Sequence, residues 1–178
     1  MEFIHFDARR RPETPQDVAL WNRYIDARSE AFYGSKPVKR LENFSDSKAD
    51  HILAVDNNQV IGGMRFEDAI APLSARKIGL GKIPINVKTA LWLNHFFVAP
   101  KLRGETRRMV VNGILKKAGV WAHEHGKTSV VFGVSEKNKV LQRVYSLRGA
   151  KDTGVVVLGL NNEYNRIFTA EIKDIKLK

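Results

Sequence analysis

The sequence has no cysteine among its 178 residues. That single absence excludes disulfides, thiolate nucleophiles and zinc–thiolate sites, and no metal is expected. Long hydrophobic runs are missing too. None approaches the roughly 20 residues that a bilayer-spanning helix needs. The opening residues, Met1-Glu2-Phe3-Ile4-His5-Phe6, lack the basic and apolar regions of a secretion signal, and a cytoplasmic location is expected. The six prolines form no linker with glycine or serine. With no internal repeat and no low-complexity tract either, residues 1–178 read as one domain.

Acidic residues are in short supply. Nineteen carboxylates face thirty lysines and arginines, leaving a formal net charge of +11. Such a surface attracts nucleic acid, an anionic membrane face, an acidic protein or a phosphorylated cofactor, and it also serves solubility alone. The excess is spread out. Arg9-Arg10-Arg11 lie near one end and Lys173, Lys176 and Lys178 near the other, while Lys101, Arg103, Arg107 and Arg108 cluster in the middle.

What is present reads as alternating strands and helices. Glu2–Phe6 alternates apolar and polar residues, as a strand does, and Asp17–Phe32 has helical apolar spacing closed by Gly34. A polar stretch, 36–50, precedes a hairpin of His51–Val55 and Val60–Phe66 around Asp56-Asn57-Asn58-Gln59. Residues 67–88, with Pro72 and Pro84, read as irregular. Thr89–Val98 is almost wholly apolar, the pattern of a strand buried on both faces.

A long helix is expected from about Glu105 to His125, with Val110, Ile114, Ala118, Trp121 and Ala122 on one stripe. Ser129–Val134 is a further strand, Glu136–Leu147 a shorter helix, and 154–160 with 164–171 a closing hairpin across Asn161-Asn162. The order β–α–β–β–β–α–β–α–β–β gives an α/β or α+β fold, a mixed sheet with helices on its faces.

The most informative stretch is Val98-Ala99-Pro100-Lys101-Leu102-Arg103-Gly104-Glu105-Thr106-Arg107-Arg108. A buried strand runs into a basic, glycine-containing turn that opens a helix. The first amides of a helix have no intrahelical acceptor and carry partial positive charge, so this geometry suits phosphate. The same residues also make an ordinary strand-to-helix turn with solvated arginines. The stretch resembles a signature of the GNAT acyltransferase superfamily, V-x-P-x-x-R-G-x-G-x-G/A, through Val98, Pro100, Arg103 and Gly104. It departs at the two later glycines, which are Thr106 and Arg108 here.

A second segment, Asn138 to Ala150, resembles the N-x-x-A-x-x-L-Y-x-x-x-G-F pattern of the same superfamily, with Asn138, Tyr145 and Gly149 in register. The resemblance covers residues 89–150. It implies a mostly antiparallel mixed sheet flanked by helices. It also implies an acyltransferase using acetyl-CoA, a longer acyl-CoA or an acyl-phosphopantetheine. On that basis the backbone at Phe97 and Val98 pairs with pantetheine, Arg103, Gly104, Thr106, Arg107 and Arg108 hold the pyrophosphate, Asn138 bonds the pantetheine arm, and Tyr145 protonates the departing thiolate. The expected reaction is direct attack by an amine. Its proton goes to His95, whose unperturbed pKa near 6.5 suits a base, to the carboxylates Glu67 or Asp68, or to water.

The front half resembles a narrower group with the same fold, the acyl-homoserine-lactone synthases. Arg28 and Phe32 fit their R-x-x-x-F, and Arg65 falls on their hairpin arginine. Their central strand carries W-E-x-S-R-F, whereas this chain has Leu91-Trp92-Leu93-Asn94-His95-Phe96-Phe97. Arg28, Arg65 and Trp92 are therefore expected on the acceptor side. Loss of the glutamate argues against that substrate chemistry. The alternatives are an acyl-homoserine-lactone-synthase-like enzyme served by an acidic acyl carrier protein, and a catalytically lapsed fold that binds nucleic acid or an acidic protein.

Overall fold

The structure is a computed structural model that describes residues 1–9, 12–34, 46–75, 77–158 and 163–174. Arg10, Arg11, Lys176, Lys178, the Asn161-Asn162 turn and most of the polar stretch 36–50 lie outside the described residues. The chain divides into two compact units. One comprises Met1–Phe66 with His95–Ala118, the other Glu67–Asn94 with Gly119–Lys178. Among the described residues seven strands are hydrogen-bonded in the order β1-β2-β3-β4-β5-β7-β6.

In the first unit, β1 (Glu2–Asp7) pairs antiparallel with β2 (Asp50–Asp56), and β2 with β3 (Gln59–Asp68). The β2–β3 turn is tighter than the four polar residues suggest. Asn57 and Asn58 alone make it, at φ 46 and 62, the pair of left-handed residues that a two-residue hairpin turn requires. Helix α1 (Pro15–Tyr33) starts where Thr14 and Asp17 form a capping box and Pro15 supplies a preset φ. The expected start at Asp17 is thus two residues late. Trp21 stacks on Phe6 at 5.2 Å, and the core gathers Phe6, Tyr24, Ile25, Leu53, Val60 and Phe97.

Two adjacent glycines let helices approach both faces of β3. A Cβ at Gly62 would collide with Val110, and one at Gly63 with the Tyr24 ring. The first belongs to α3 (Gly104–Glu124) and the second to α1.

In the second unit, the first half of β4 (Ala90–Val98) runs parallel to β5 (Ser129–Ser135), from Ala90↔Ser129 to Leu93↔Phe132. A parallel pair needs a long crossover, and the chain between these strands contains α3. Strand β7 (Tyr164–Glu171) pairs antiparallel with both β5 and β6 (Lys151–Leu158). The stretch expected to be irregular, 67–88, contains a short helix, α2 (Ile70–Ala75), and two 3-10 turns. Helix α2 brings Leu73 into a core with Ala69, Ile78, Ile83, Val131 and Ile167. Helix α4 (Lys139–Leu147) begins later than Glu136 because Asn138 caps it, its side chain accepting from the Leu141 amide at 3.0 Å. Among the described residues no helix is long and apolar enough to cross a membrane.

Candidate functional site

Strand β4 carries a backbone anomaly at a predicted site residue. His95 adopts φ 48, a left-handed conformation that a non-glycine residue holds only where its surroundings impose it. Beyond it, Phe97 and Val98 are buried, with the Phe97 ring 5.9 Å from Tyr24. The Ala99 amide donates to the Ile61 carbonyl at 2.9 Å and so ties the end of β4 to β3. The chain then turns through Pro100–Arg103 into α3.

The turn is open to solvent. Residues 103–108 are all exposed, and a Cβ on Gly104 would meet nothing within 4 Å. Gly104 sits at φ 54, so the glycine in the motif answers a backbone requirement. Arg103 donates through Nη1 to the carbonyls of Pro100 and Leu102, the latter at 2.9 Å. Arg107 and Arg108 make no ion pair among the described residues. The turn therefore presents a concentration of positive charge beside helix amides that lack intrahelical acceptors.

The same unit buries a polar cluster. Helix α1 places Tyr24, Arg28 and Phe32 four residues apart on one face. Arg28 is wholly buried and forks onto Asp46, with Nη1 to Oδ1 at 2.9 Å and Nη2 to Oδ2 at 2.7 Å. Arg65 reaches the same carboxylate at 3.2 Å. His51 lies opposite Arg65 in the β2–β3 register. Its Nε2 is 3.1 Å from the Asp46 carbonyl and its Nδ1 is 3.0 Å from the Tyr24 hydroxyl. A carbonyl only accepts, so Nε2 carries the proton, and the Tyr24 hydroxyl donates to Nδ1 while accepting from Arg28 at 3.4 Å.

Burial governs the ionisation of these groups. Desolvation pushes Tyr24 up to about 12, against the favourable charge of Arg28. Burial, helped by Arg28 and Arg65, pulls His51 down to about 4 and His95 down to about 3. For Arg28, burial is the largest single influence and opposes the charge, but the hydrogen bonds to Asp46 and Tyr24 and the electrostatic attraction of both together outweigh it, and the net shift is upward. The expectation that His95 titrates near 6.5 is therefore corrected. Its ring is neutral throughout the physiological range, and its edge faces Phe32 at 5.8 Å.

The structure thus brings together Arg28, Arg65 and His95, and it adds Tyr24, Asp46 and His51, which the sequence did not single out. Asp46 fell in a polar stretch, and His51 opens an apolar run. A signal was available in the four-residue spacing of Tyr24, Arg28 and Phe32.

The remaining expected residues belong to the second unit. Trp92, expected on the acceptor side and not in the core, is only 3% exposed and packs within the apolar cluster containing Leu73 and Val131. The reason is the apolar core of this unit, to which α2 contributes Leu73. Glu67 is half-buried at the end of β3, while neighbouring Asp68 is ion-paired with Lys127. Asn138 spends its side-chain oxygen on capping α4. Tyr145 packs edge-on against Phe132 at 4.9 Å, and burial raises its pKa despite nearby Arg148.

No family model and no curated protein matches this chain. Solved structures do. The CoA-dependent acyl-homoserine lactone synthase MesI aligns at a TM-score of 0.68 with 14% identity, over 96% of this chain and 89% of that one. A second CoA-dependent acyl-homoserine lactone synthase, BjaI, solved with SAM and isopentyl-CoA, aligns at 0.65 and 14% identity over 94% and 82%. Escherichia coli ElaA aligns at 0.60 and 15% over 96% and 99%. At these identities the likeness is one of fold, a mostly antiparallel mixed sheet flanked by helices.

Proposed function

We propose that the chain is an N-acyltransferase that moves an acyl group from acyl-CoA, or another pantetheine thioester, to an amine. The observation that carries this reading is the turn at 103–108. A buried strand delivers an open, left-handed glycine, and arginines that make no ion pair among the described residues, to the start of a long helix, a combination suited to a pyrophosphate. Structural likeness to CoA-dependent enzymes supports it.

On this reading the amine nitrogen attacks the thioester carbonyl, the carbon–sulfur bond breaks, and the thiolate takes a proton. The Tyr145 phenol is the proposed donor, since burial keeps it protonated. His95 is too weak a base at about 3. The amine proton is assigned to Glu67 or to water. The experiment is thermal unfolding with acetyl-CoA, longer acyl-CoAs or an oligonucleotide. A ligand at a hundred times its Kd stabilises the native state by about 2.7 kcal/mol, several degrees in Tm. Stabilisation by the oligonucleotide alone, with no response to any acyl-CoA, sinks the reading in favour of a lapsed fold.

One observation favours a narrower second reading. Arg28 and Arg65, two of the residues shared with acyl-homoserine-lactone synthases, converge on Asp46, and Phe32 lies against His95. This supports an N-acyl synthase resembling those enzymes, and the excess of positive charge on the chain is what suits an acidic acyl carrier protein as its donor. Acylation of a polar amine from acyl carrier protein but not from acyl-CoA would distinguish it from the first.

A further inference from the structure

Helix α4 buries none of its residues fully. Its inner side, Leu141, Gln142 and Tyr145, is half-buried, and Tyr145 meets Phe132, which itself stacks on Phe168 at 5.9 Å. The outer side carries Val140, Val144 and Leu147, spaced i, i+4 and i+7. Val140 is 77% exposed and Leu147 is 74% exposed. An apolar stripe normally turns inward, so its outward placement asks for an occupant.

The adjoining sheet repeats the pattern. Phe132 and Phe168 are register partners, and so are Leu158 and Tyr164 and Val156 and Arg166. Paired residues share a face, and alternate residues along β7 do so as well. Val156, Leu158 and Tyr164 therefore lie on the face that α4 covers, and all three are exposed. On that face Arg166 pairs with both nearby acids, Glu136 at 2.8 Å and Asp152 at 3.1 Å, and so offsets one of their two charges.

Charge decides the kind of occupant. Residues 137–151 hold five basic side chains and no acidic one. Lys137 pairs with Glu163 at 3.1 Å, whereas Lys139, Arg143, Arg148 and Lys151 make no ion pair among the described residues. On the helical wheel Arg143 and Arg148 flank the apolar stripe on opposite sides. A second copy of the chain would set these cations against their own kind. A protein partner would have to supply a groove for side chains that project outward. A planar anionic interface needs only projecting aliphatic groups with cations at their flanks. We infer that this face is a docking surface for an anionic lipid bilayer, independently of the acyl-transfer reading.

The test is flotation of the full chain with vesicles of phosphatidylglycerol and phosphatidylcholine, against pure phosphatidylcholine, at low and high salt. Binding is expected on the anionic vesicles and should weaken as salt screens the charges. Val140→Ser with Leu147→Ser should abolish it, and the unchanged circular dichroism of these surface variants will show that the fold is intact. Arg143→Gln and Arg148→Gln should each lower binding roughly fivefold. Lys116→Gln with Lys117→Gln removes two exposed charges from α3 and should have little effect. Equal loss in that control, indifference to the Val140 and Leu147 changes, or binding to polyglutamate but not to vesicles would overturn the assignment.

Discussion

Arg28 of α1 grips Asp46 through both terminal nitrogens, at 2.9 and 2.7 Å, with both side chains all but sealed from solvent. Removing one partner of such a pair leaves an uncompensated buried charge. Asp46→Asn should destabilise the protein by about 3–5 kcal/mol, read as a lower urea midpoint. A loss within 1 kcal/mol would mean that the cluster is better hydrated than its burial implies.

The histidines beside this pair make stability depend on pH. In an unfolded chain they titrate near 6.5, but His51 is held down at about 4 and His95 at about 3. Between those values the unfolded state binds more protons. The stabilisation is therefore complete above 6.5 and is lost as pH falls toward 4. Urea midpoints should drop from pH 7 to pH 5, and His51→Gln should flatten the drop. An unchanged midpoint across that range would contradict the buried, neutral assignment.

How much of this was legible in the sequence depended on range. The ten-residue apolar run at 89–98 and the stripe through Val110, Ile114 and Ala118 are local patterns, and β4 and α3 appear within a residue or two of their expected bounds. Arg28 and Arg65 were flagged by motif, but their shared partner was not. Asp46 reaches them only through folding, from a polar segment with no periodicity. Trp92 was misplaced for a related reason: α2 is six residues with Pro72 inside it, too short to show a helical period. The titration of His95 reflects burial and two distant arginines, neither visible from its neighbours in the chain.

Two glycines of α3 should respond oppositely to the same substitution. A Cβ on Gly113 would overlap the Phe3 ring, whereas one on Gly119 would meet nothing within 4 Å. Alanine adds helix propensity of about 1 kcal/mol at either site. At Gly119 that gain stands, and Gly119→Ala should raise Tm by a few degrees. At Gly113 the overlap with an aromatic ring dominates, and Gly113→Ala should cost about 1–3 kcal/mol. Calorimetry on the two variants gives the sign directly, and stabilisation by both would mean that Phe3 moves aside freely.

Arg103 is exposed and holds its own turn through two carbonyls. If it also contacts the donor pyrophosphate, Arg103→Ala should weaken CoA binding roughly fivefold at low salt, the upper range for an exposed charge pair. The difference should shrink as ionic strength rises. Titration calorimetry at two salt concentrations decides the matter, and equal affinities at low salt would take Arg103 out of the site.

Tyr145 carries the sharpest claim of the proposed chemistry. Its phenol is pushed above the ordinary tyrosine range by burial, so it remains protonated wherever an acyltransferase works and is available as an acid. Tyr145→Phe keeps the ring, and with it the edge-on contact to Phe132 at 4.9 Å, while deleting only the donor. Turnover should fall by roughly 10²–10⁴-fold with acyl-CoA affinity nearly unchanged, the pattern of an interaction made in the transition state. The wild-type rate should also show no alkaline decline from this group until the pH exceeds the usual tyrosine value. Should the variant instead lose affinity and turnover together, Tyr145 would be a packing residue of the donor site, and protonation of the thiolate would fall to solvent.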